Sequence, residues 1–428
     1  MHQLLRTHAQ HVMQASLQAV LPDRAVERAL RGRSFPGRLL LVAVGKAAWQ
    51  MARAARDCLG ERVEGGIVIT KYGHLGGSIQ GLDCWEAGHP VPDENSFRAT
   101  RAALELVRGL SKEDTVLFLL SGGGSALFEQ PLVDGGELQD ITSQLLASGA
   151  DIVEMNTIRK RLSGVKGGRF AQACAPARVL GIVLSDVLGD PPDMIASGPA
   201  CPDRSTCAQA REIARTCGLR LSERAWSLLD KETPKELGNV EYHVTGSVKE
   251  LCQAAARACI GLGYAPVILT DRLCCQAREA GSFLASIARS HAEDGGRLAF
   301  LAGGETVVRL TGRGKGGRNQ ELALAAAEGI RGLDNVLIFS LGSDGTDGPT
   351  DAAGGLVDGE TAEALSALGV SITQTLQDND AYHALERVGG LLFTGPTGTN
   401  VNDISVVLIG DSAKRDSCGD RGPDFSAK

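Results

Sequence analysis

The sequence predicts an α/β protein built from two domains. At 428 residues the chain exceeds the roughly 250–300 residues at which a single hydrophobic core stops growing. Short apolar runs each end in a glycine-rich or polar loop and then pass into a helical pattern, which is typical of βα units. Near-continuous apolar strands of this kind indicate a parallel sheet covered by helices on both faces. The runs span 39–44, 115–120, 179–184, 298–302 and 336–341.

The first segment of the chain predicts an amphipathic core helix. It carries Arg6 and has no acid before Asp23, which is also found in organelle transit peptides. Its apolar residues, however, recur at the spacing of one helix face, and this periodicity favours the core helix. The residues of that face are Leu5, Ala9, Met13, Leu17 and Val20.

A polar, charged stretch between Cys217 and Val240 marks the predicted domain boundary. It contains Pro234 and Gly238, and a new strand-like run follows at 242–245. We therefore predict an N-terminal domain over 1–239 and a C-terminal domain over 240–412. The last residues, 413–428, have almost no apolar content and are predicted to form a disordered tail.

The composition excludes several classes of protein. A formal net charge of −7 argues against a nucleic-acid partner, because surfaces that follow phosphate backbones are rich in Lys and Arg. No apolar run approaches the ~20 residues that a membrane span needs. The eleven cysteines form no CxxC pair, so neither a disulfide framework nor a zinc site is indicated. We expect a cytoplasmic protein, and a homodimer is compatible with these properties.

Two loops of the first half are candidates for anion binding, because ligands of parallel sheets bind beyond the carboxyl ends of the strands. The first run delivers Lys46 to the start of a helix, where the dipole and free amides favour an anion; a lysine pointing into solvent is the alternative. The run at 115–120 ends in a glycine triplet whose amides can converge on an anion, although flexible turns also contain such triplets. The triplet and its flanking serines are Ser121, Gly122, Gly123, Gly124 and Ser125.

A basic segment and an aspartate follow. Residues 156–169 hold five cations and no acid, which predicts either a solvated helix face or a basic wall of a cleft. Asp186 follows the run at 179–184, and an aspartate at a strand end can hold Mg²⁺ or accept a substrate proton. Helix capping is the alternative, but the VLGDPP sequence that follows is typical of a rigid loop.

In the second half, Glu305 and a glycine-rich basic loop follow the run at 298–302. The loop, residues 312–317, precedes Arg318 and an alanine-rich helix. It contains GxGxxG, but Asp334 precedes the next run instead of ending a second strand, which argues against a dinucleotide fingerprint. We predict a mobile phosphate cradle in which Arg318 makes forked contacts with a transferring phosphoryl group.

Two more loops carry polar side chains suited to a metal or a hydroxyl. Asp344 and Asp347 lie in a tight loop after the run at 336–341. Carboxylate oxygens suit Mg²⁺, so we predict a metal site there, with a plain Asp-Gly turn as the alternative. Asn400 could bind a hydroxyl or a metal-bound water, and an asparagine-rich turn explains it equally well.

Cations, glycine nests and carboxylates at strand ends are what phosphoryl transfer requires for positioning and charge neutralisation. The sequence lacks the Walker loop and the protein-kinase motifs. It also lacks the GxSxG elbow of hydrolases. The residues therefore predict a kinase outside both large classes.

Nine segments spread over nearly the whole chain resemble those of the MOFRL-type glycerate 2-kinases. The resemblance implies an N-terminal Rossmann-like αβα sandwich, a C-terminal α/β MOFRL domain and an active site in the cleft between them. It also implies the conversion of D-glycerate and ATP, with Mg²⁺, into 2-phosphoglycerate and ADP. The segments are VAVGKAA, GHPVPDENS, LSGGGSAL, NTIRKRLSGVKGGR, LSDVLGDPPDMIASGP, GGETVV, GKGGRNQE, SDGTDGPTDAAGG and GPTGTNVND.

Site roles follow from the same resemblance. It implies that Lys46 and Arg318 are the cations at the transferring phosphate and that the 121–125 loop binds an anionic group. We hypothesise that Asp186 accepts the proton of the attacking hydroxyl. The polar groups that the resemblance implies for the metal and the substrate hydroxyl are Asp186, Glu305, Asp344 and Asn400.

Two other functions remain open. Relatives of this family have also been labelled hydroxypyruvate reductases, so an NAD(P)H-dependent hydroxypyruvate reductase is the main alternative, although it requires a dinucleotide site. A non-catalytic module that binds phosphorylated sugars is the third hypothesis, because glycine nests alone require no reaction.

Overall fold

The computed structural model describes residues 2–411. The predicted disordered tail at 413–428 lies outside the described residues. No helix between residues 2 and 411 is both long enough and apolar enough to cross a membrane. The helices are α1 (His2–Ala19), α2 (Pro22–Leu30), α3 (Ala48–Leu59), α4 (Glu94–Leu106), α5 (Gly124–Leu127), α6 (Gly135–Ala147), α7 (Ile152–Arg161), α8 (Arg169–Cys174), α9 (Cys207–Thr216), α10 (Glu223–Leu229), α11 (Val248–Gly261), α12 (Ala277–His291), α13 (Arg318–Gly329), α14 (Thr361–Ala367), α15 (Ile372–Gln377) and α16 (Ala381–Arg387).

The first sheet contains six parallel strands in the order β3-β2-β1-β4-β5-β6. This is a doubly wound order, in which the chain reverses direction across the sheet between β1 and β4, and ligands bind at such a switch point. The strands are β1 (Leu39–Val44), β2 (Val63–Lys71), β3 (Leu82–Ala87), β4 (Thr115–Leu120), β5 (Arg178–Leu184) and β6 (Val240–Gly246).

Helices cover both faces of the first sheet, as the continuous apolar runs predict. Alternate residues of a strand point to opposite faces. Leu39 and Leu41 of β1 pack in a core that includes Met51 of α3. Leu40 of β1 packs on the opposite face, in a second core that includes Phe118 of β4. The αβα layering of this lobe is therefore confirmed.

The second sheet is mixed, which corrects the expectation of parallel strands throughout. Its order is β11-β10-β9-β12-β8-β7; β7 and β8 are parallel, and the other neighbouring strands are antiparallel. Strand β12 runs antiparallel between β8 and β9. The start of β12 therefore lies at the same end of the sheet as the carboxyl ends of β8 and β9. The strands are β7 (Ala265–Leu273), β8 (Leu298–Gly304), β9 (Val336–Gly342), β10 (Gly354–Asp358), β11 (Leu391–Leu392) and β12 (Asp403–Ile409).

Helix α1 forms as predicted but packs on the second sheet. Leu5 of α1 lies in the same core as Leu251 of α11 and Phe339 of β9. Helices α12 and α13 cover the other face of that sheet, where Leu284 and Leu322 pack. The second lobe is therefore also a three-layer α/β unit, and the first residues of the chain are part of it.

The division of the two sheets differs from the predicted limits of 1–239 and 240–412. Strand β6 was predicted to open the second domain, but it pairs with β5 in the first sheet. The chain thus passes between lobes twice, around residues 20–22 and around 246–248. Both crossings lie beside Arg28, which donates hydrogen bonds to the carbonyl oxygens of Ala19 and Thr245.

Candidate active site

Lys46 lies at the switch point of the first sheet, directly after β1. The preceding Gly45 has a φ of +123°, and a Cβ there would overlap Ser121, so only glycine allows the β1 and β4 loops to approach this closely. The amide of Lys46 donates to the carbonyl oxygen of Gly122 at 2.9 Å. The lysine is thereby fixed beside the 121–125 loop.

Only part of the 121–125 loop is open to a ligand. Ser121 is buried, and its hydroxyl accepts a hydrogen bond from the Ala47 amide at 3.0 Å, so it stabilises the start of α3. Gly123 and Ser125 remain partly exposed. Among residues 2–411, no backbone or side-chain acceptor takes the amide hydrogens of residues 122–125. Free amides on successive residues suit an anion.

Asp186 follows β5 and lies against the same loop, because a Cβ on Gly122 would overlap its carboxylate. Burial raises the pKa of Asp186, the nearby Lys46 lowers it, and Glu305 of the second lobe raises it further. The Lys46 and Asp186 charges are therefore neighbours, and Glu305 faces them across the cleft.

Three basic residues of the first lobe join Lys46 although the sequence analysis missed them. Lys71 ends β2 and lines the cleft with His74. The His89 ring lies over Gly123, and burial lowers its pKa, with Lys46, Lys71 and His74 lowering it further. The apolar run before Lys71 is short, residues 67–69, and it follows two glycines and Glu64.

The cleft between the lobes is a cavity of about 450 Å³. Lys46, Lys71 and Gly122 line it from the first lobe, and Asp344 and Asn400 line it from the second. The predicted residues that follow β1, β4 and β9 therefore do meet in one cavity.

Arg318 is held by two carboxylates of its own lobe. Its guanidinium contacts Glu305 at 3.0 Å and donates two hydrogen bonds to Asp403, one of them at 3.0 Å. Although burial works against the charged form, the hydrogen bonds to Asp403 raise the pKa of Arg318 above its usual value. The predicted fork therefore engages Asp403, the residue that begins β12 beside Gly304 and Gly342.

Residues 312–315 of the glycine-rich loop, which was predicted to form a phosphate cradle, are held by hydrogen bonds within the second lobe. The amides of these four residues are already bonded: Gly312 donates to Asn379 at 2.9 Å, Arg313 and Gly314 donate to Asp378 at 3.1 and 2.7 Å, and Lys315 donates to Asp380 at 2.9 Å. These acidic and amide partners would repel or compete with a phosphate. The loop instead forms one wall of a cavity of about 590 Å³ that also has apolar walls, lined by Val307, Val308, Leu310, Pro349 and Ala381.

Asp347 occupies a structural position rather than that of the predicted metal ligand. Its buried carboxylate accepts hydrogen bonds from the amides of Asn319 at 3.1 Å and Gln320 at 2.8 Å, so it stabilises the start of α13. Burial raises its pKa to about 6. Both oxygens are therefore directed at the helix.

Asp344 is the better candidate for a metal ligand. It is partly exposed and lines the cleft. A Cβ on Gly342 would lie 3.3 Å from an Asp344 oxygen and 3.4 Å from an Asp403 oxygen, so the two carboxylates are close. No group of three or more His, Cys, Asp or Glu side chains within 2–411 is arranged to hold a metal ion. The donor set fits Mg²⁺ only where phosphate oxygens and water complete it, which is the usual arrangement for this ion.

Asn400 lines the cleft opposite Lys46. Its side-chain oxygen accepts a hydrogen bond from the Asn402 amide at 3.3 Å, and the neighbouring Val401 amide donates to Ser343 at 2.8 Å. The loop is therefore fixed by internal hydrogen bonds, as an asparagine-rich turn would be, while the Asn400 side chain borders the cavity.

Comparison with known proteins places this geometry in a family. Residues 298–403 match the MOFRL family, and residues 8–230 match a family described as a domain of unknown function, DUF4147. A D-glycerate 2-kinase from Thermotoga maritima is 52% identical over 95% of this chain and 98% of its own length. A glycerate 2-kinase from Pyrococcus horikoshii is 41% identical over 92% of this chain and 95% of its own.

A solved structure agrees with these relatives. The crystal structure of glycerate kinase (EC 2.7.1.31) from Thermotoga maritima superimposes with a TM-score of 0.91 at 51% identity, covering 95% of this chain and 100% of the other. The two-lobed α/β fold and its cleft therefore define an enzyme of the phosphotransferase class. More particularly, the chain belongs to the MOFRL-type glycerate 2-kinase family.

Proposed function

We propose that this protein transfers the terminal phosphoryl group of ATP to the 2-hydroxyl of D-glycerate, in the cleft between its two sheets. The observation that carries the proposal is the cleft itself. Lys46, Lys71 and the free amides of the 121–125 loop offer positive charge on one side, and Asp344 offers a carboxylate on the other. The names of the relatives supply the substrate.

The phosphates and the metal would lie between the lobes. Lys46 and Lys71 neutralise phosphate charge, which is the main requirement of phosphoryl transfer. Asp344, with phosphate oxygens and water, is the residue that would hold Mg²⁺. When bound, the ion would neutralise charge on the phosphate oxygens.

Asp186 is the proposed base. Burial raises its pKa, so its carboxylate binds a proton more readily than an ordinary aspartate does. The substrate hydroxyl gives its proton to Asp186 as its oxygen bonds to the γ-phosphorus. The bond from that phosphorus to the β,γ-bridging oxygen breaks, and ADP leaves with the electron pair.

Arg318 acts from the second lobe as an oriented charge. Asp403 fixes the plane of its guanidinium, and a fixed group needs no reorganisation when charge develops on the phosphoryl group. The neighbouring apolar cavity, which has Arg318 at its border, suits the flat adenine ring, because nucleotide pockets are mostly apolar with few polar groups.

A coupled assay tests the proposal. Purified protein with ATP, Mg²⁺ and D-glycerate should release ADP, and phosphorus NMR should show 2-phosphoglycerate and not 3-phosphoglycerate. The same preparation mixed with NADH and hydroxypyruvate should leave the absorbance of NADH unchanged. Oxidation of NADH without ADP release would show that the protein is a reductase and not a kinase. Tight phosphosugar binding without turnover would favour a non-catalytic binding module.

A further inference from the structure

The basic segment at 156–169 contains one arginine that differs from the other four cations. Lys160 contacts Asp203 at 3.1 Å, and the buried Arg161 contacts Glu232 at 3.4 Å. Lys166 is fully buried against Glu129 at 2.5 Å. Arg169 donates to backbone carbonyl oxygens, including that of Lys160 at 2.7 Å. These four cations are therefore satisfied within the protein, and they form neither a solvated helix face nor a basic wall.

Arg159 has no such partner. Between residues 2 and 411, no carboxylate lies within ion-pair distance of its guanidinium, and its one hydrogen bond goes to the carbonyl oxygen of Ser125 at 3.0 Å. The side chain is half-buried, and this burial lowers the pKa of its guanidinium. The nearby Glu129 carboxylate is already bonded to Lys166. Withdrawing a guanidinium from water without a counter-ion costs free energy. An anion from outside the chain would supply the counter-ion that Arg159 lacks within residues 2–411.

The groups beside Arg159 suit a small anion. The Ser125 hydroxyl lies 3.2 Å from that of Ser197, which donates to Asn156 at 2.8 Å. Ser197 and its neighbour Ala196 have φ values of +62° and +50°, a strained conformation that is often retained at binding sites. The amides of residues 122–125, which have no acceptor among residues 2–411, belong to the same loop as Ser125.

We propose that Arg159, Ser125 and the free amides of the 121–125 loop form the subsite for the carboxylate of the acceptor. This inference rests on the proposed kinase function and adds how the acceptor is recognised. An arginine fork matches the two oxygens of a carboxylate. The class of acceptor is therefore a small hydroxycarboxylate, and neutral polyols of the same size are excluded.

The subsite also orients the acceptor. Arg159 contacts the Ser125 end of the loop, while Lys46 and Asp186 lie at its Gly122 end. A carboxylate bound at the first end directs the hydroxyl-bearing carbons toward the second. One short loop thus fixes both the carboxylate and the distance to the reacting hydroxyl.

The test compares a charged and a neutral acceptor in Arg159→Met and Arg159→Lys. For Arg159→Met we expect KM for D-glycerate to rise about 30- to 1000-fold, as is typical when one member of a buried charge pair is removed. KM for ATP should change less than about threefold. The preference for D-glycerate over glyceramide, measured as a ratio of kcat/KM, should collapse, and Arg159→Lys should restore it in part.

The exposed Arg108→Met is the matched control and should retain every wild-type constant. A wild-type ratio of kcat/KM that does not favour D-glycerate over glyceramide would overturn the subsite, and so would an Arg159→Met enzyme with unchanged KM for D-glycerate. If Arg159→Met does not fold, the subsite is tested by KM for D-glycerate in Arg159→Lys and by the wild-type ratio of kcat/KM for D-glycerate over glyceramide. Wild-type protein without any glycerate phosphorylation would instead reject the proposed function itself.

Discussion

The two lobes contribute different kinds of chemical groups to the cleft. The first lobe offers cations and amides that have no partner within it, such as Lys46 and the 121–125 loop. The second offers groups that are already bonded to each other, such as Arg318 with Glu305 and Asp403. On the proposed function, the first lobe would bind the anionic groups and the second would hold fixed charges in position. Substitutions on the two sides should therefore fail in different ways.

The largest effect is expected for Lys46→Ala. Loss of an unpaired cation at the transferring phosphate should lower kcat by about 10³-fold. The thermal midpoint should stay near the wild-type value, because the hydrogen bonds that Lys46 makes within residues 2–411 come from its backbone. Steady-state kinetics and a thermal melt check both, with the exposed Lys112→Ala as the control. A large drop in the thermal midpoint would mean that Lys46 stabilises the fold, which would contradict the proposed difference between the two lobes.

Asp186→Asn should come next, with kcat lowered by about 10²-fold, the lower end of the usual contribution of a general base. The raised pKa of Asp186 predicts the pH dependence. The wild-type kcat/KM should fall as the pH drops through that raised value, because the base becomes protonated, and this limb should lie above the pH at which an ordinary aspartate titrates. The Asn variant should lose the limb. A wild-type profile that stays flat through the acid range would exclude Asp186 as the base.

Asp403→Asn tests the second lobe. It should lower kcat by about 10- to 100-fold, because Arg318 loses the carboxylate that orients it. Unlike Lys46→Ala, it should also lower the free energy of unfolding by about 1.5–3 kcal/mol, the usual size of a hydrogen bond to a charged group. Urea titration measures the second effect. Normal stability with normal turnover would show that the fixed charges of this lobe are dispensable.

The smallest effect concerns the proposed adenine cavity. Leu310 is 81% exposed although it lines an apolar cavity. Leu310→Asp should raise KM for ATP about tenfold, since the charge must be desolvated against the base, and leave KM for D-glycerate unchanged. Leu368→Asp, at an exposed leucine outside the cavity, provides the control. An equal change of KM for ATP in both variants would show that the adenine does not bind in this lobe.

Residues that follow a strand whose carboxyl end reaches the cleft could be located from the sequence, and a residue that begins a strand there could not. Lys46, Asp186 and Glu305 were found because each follows a continuous apolar run. Asp403 was missed because β12 runs antiparallel, so its first residue, rather than the residue after its last, reaches the cleft. The direction of a strand in a sheet depends on its pairing with strands that are distant in sequence. The pattern of a single apolar run does not reveal that direction.

Other errors have the same physical origin. Asp347 and residues 312–315 were assigned to ligands, but their partners are groups of the protein itself. Asp378 lies more than sixty residues from the loop that it holds. The local sequence revealed groups able to bind anions or cations, but only the tertiary fold shows which of them are already bonded.

The path of the chain between lobes restricts how this protein can be divided. Helix α1 completes the core of the lobe formed mostly by residues after 246. Two fragments split at residue 246 would therefore each be deficient, since one would carry an unpaired apolar helix and the other would expose the face that this helix covers. A circular permutant that starts at Pro22 and places α1 after residue 411 would make each lobe one uninterrupted stretch of polypeptide.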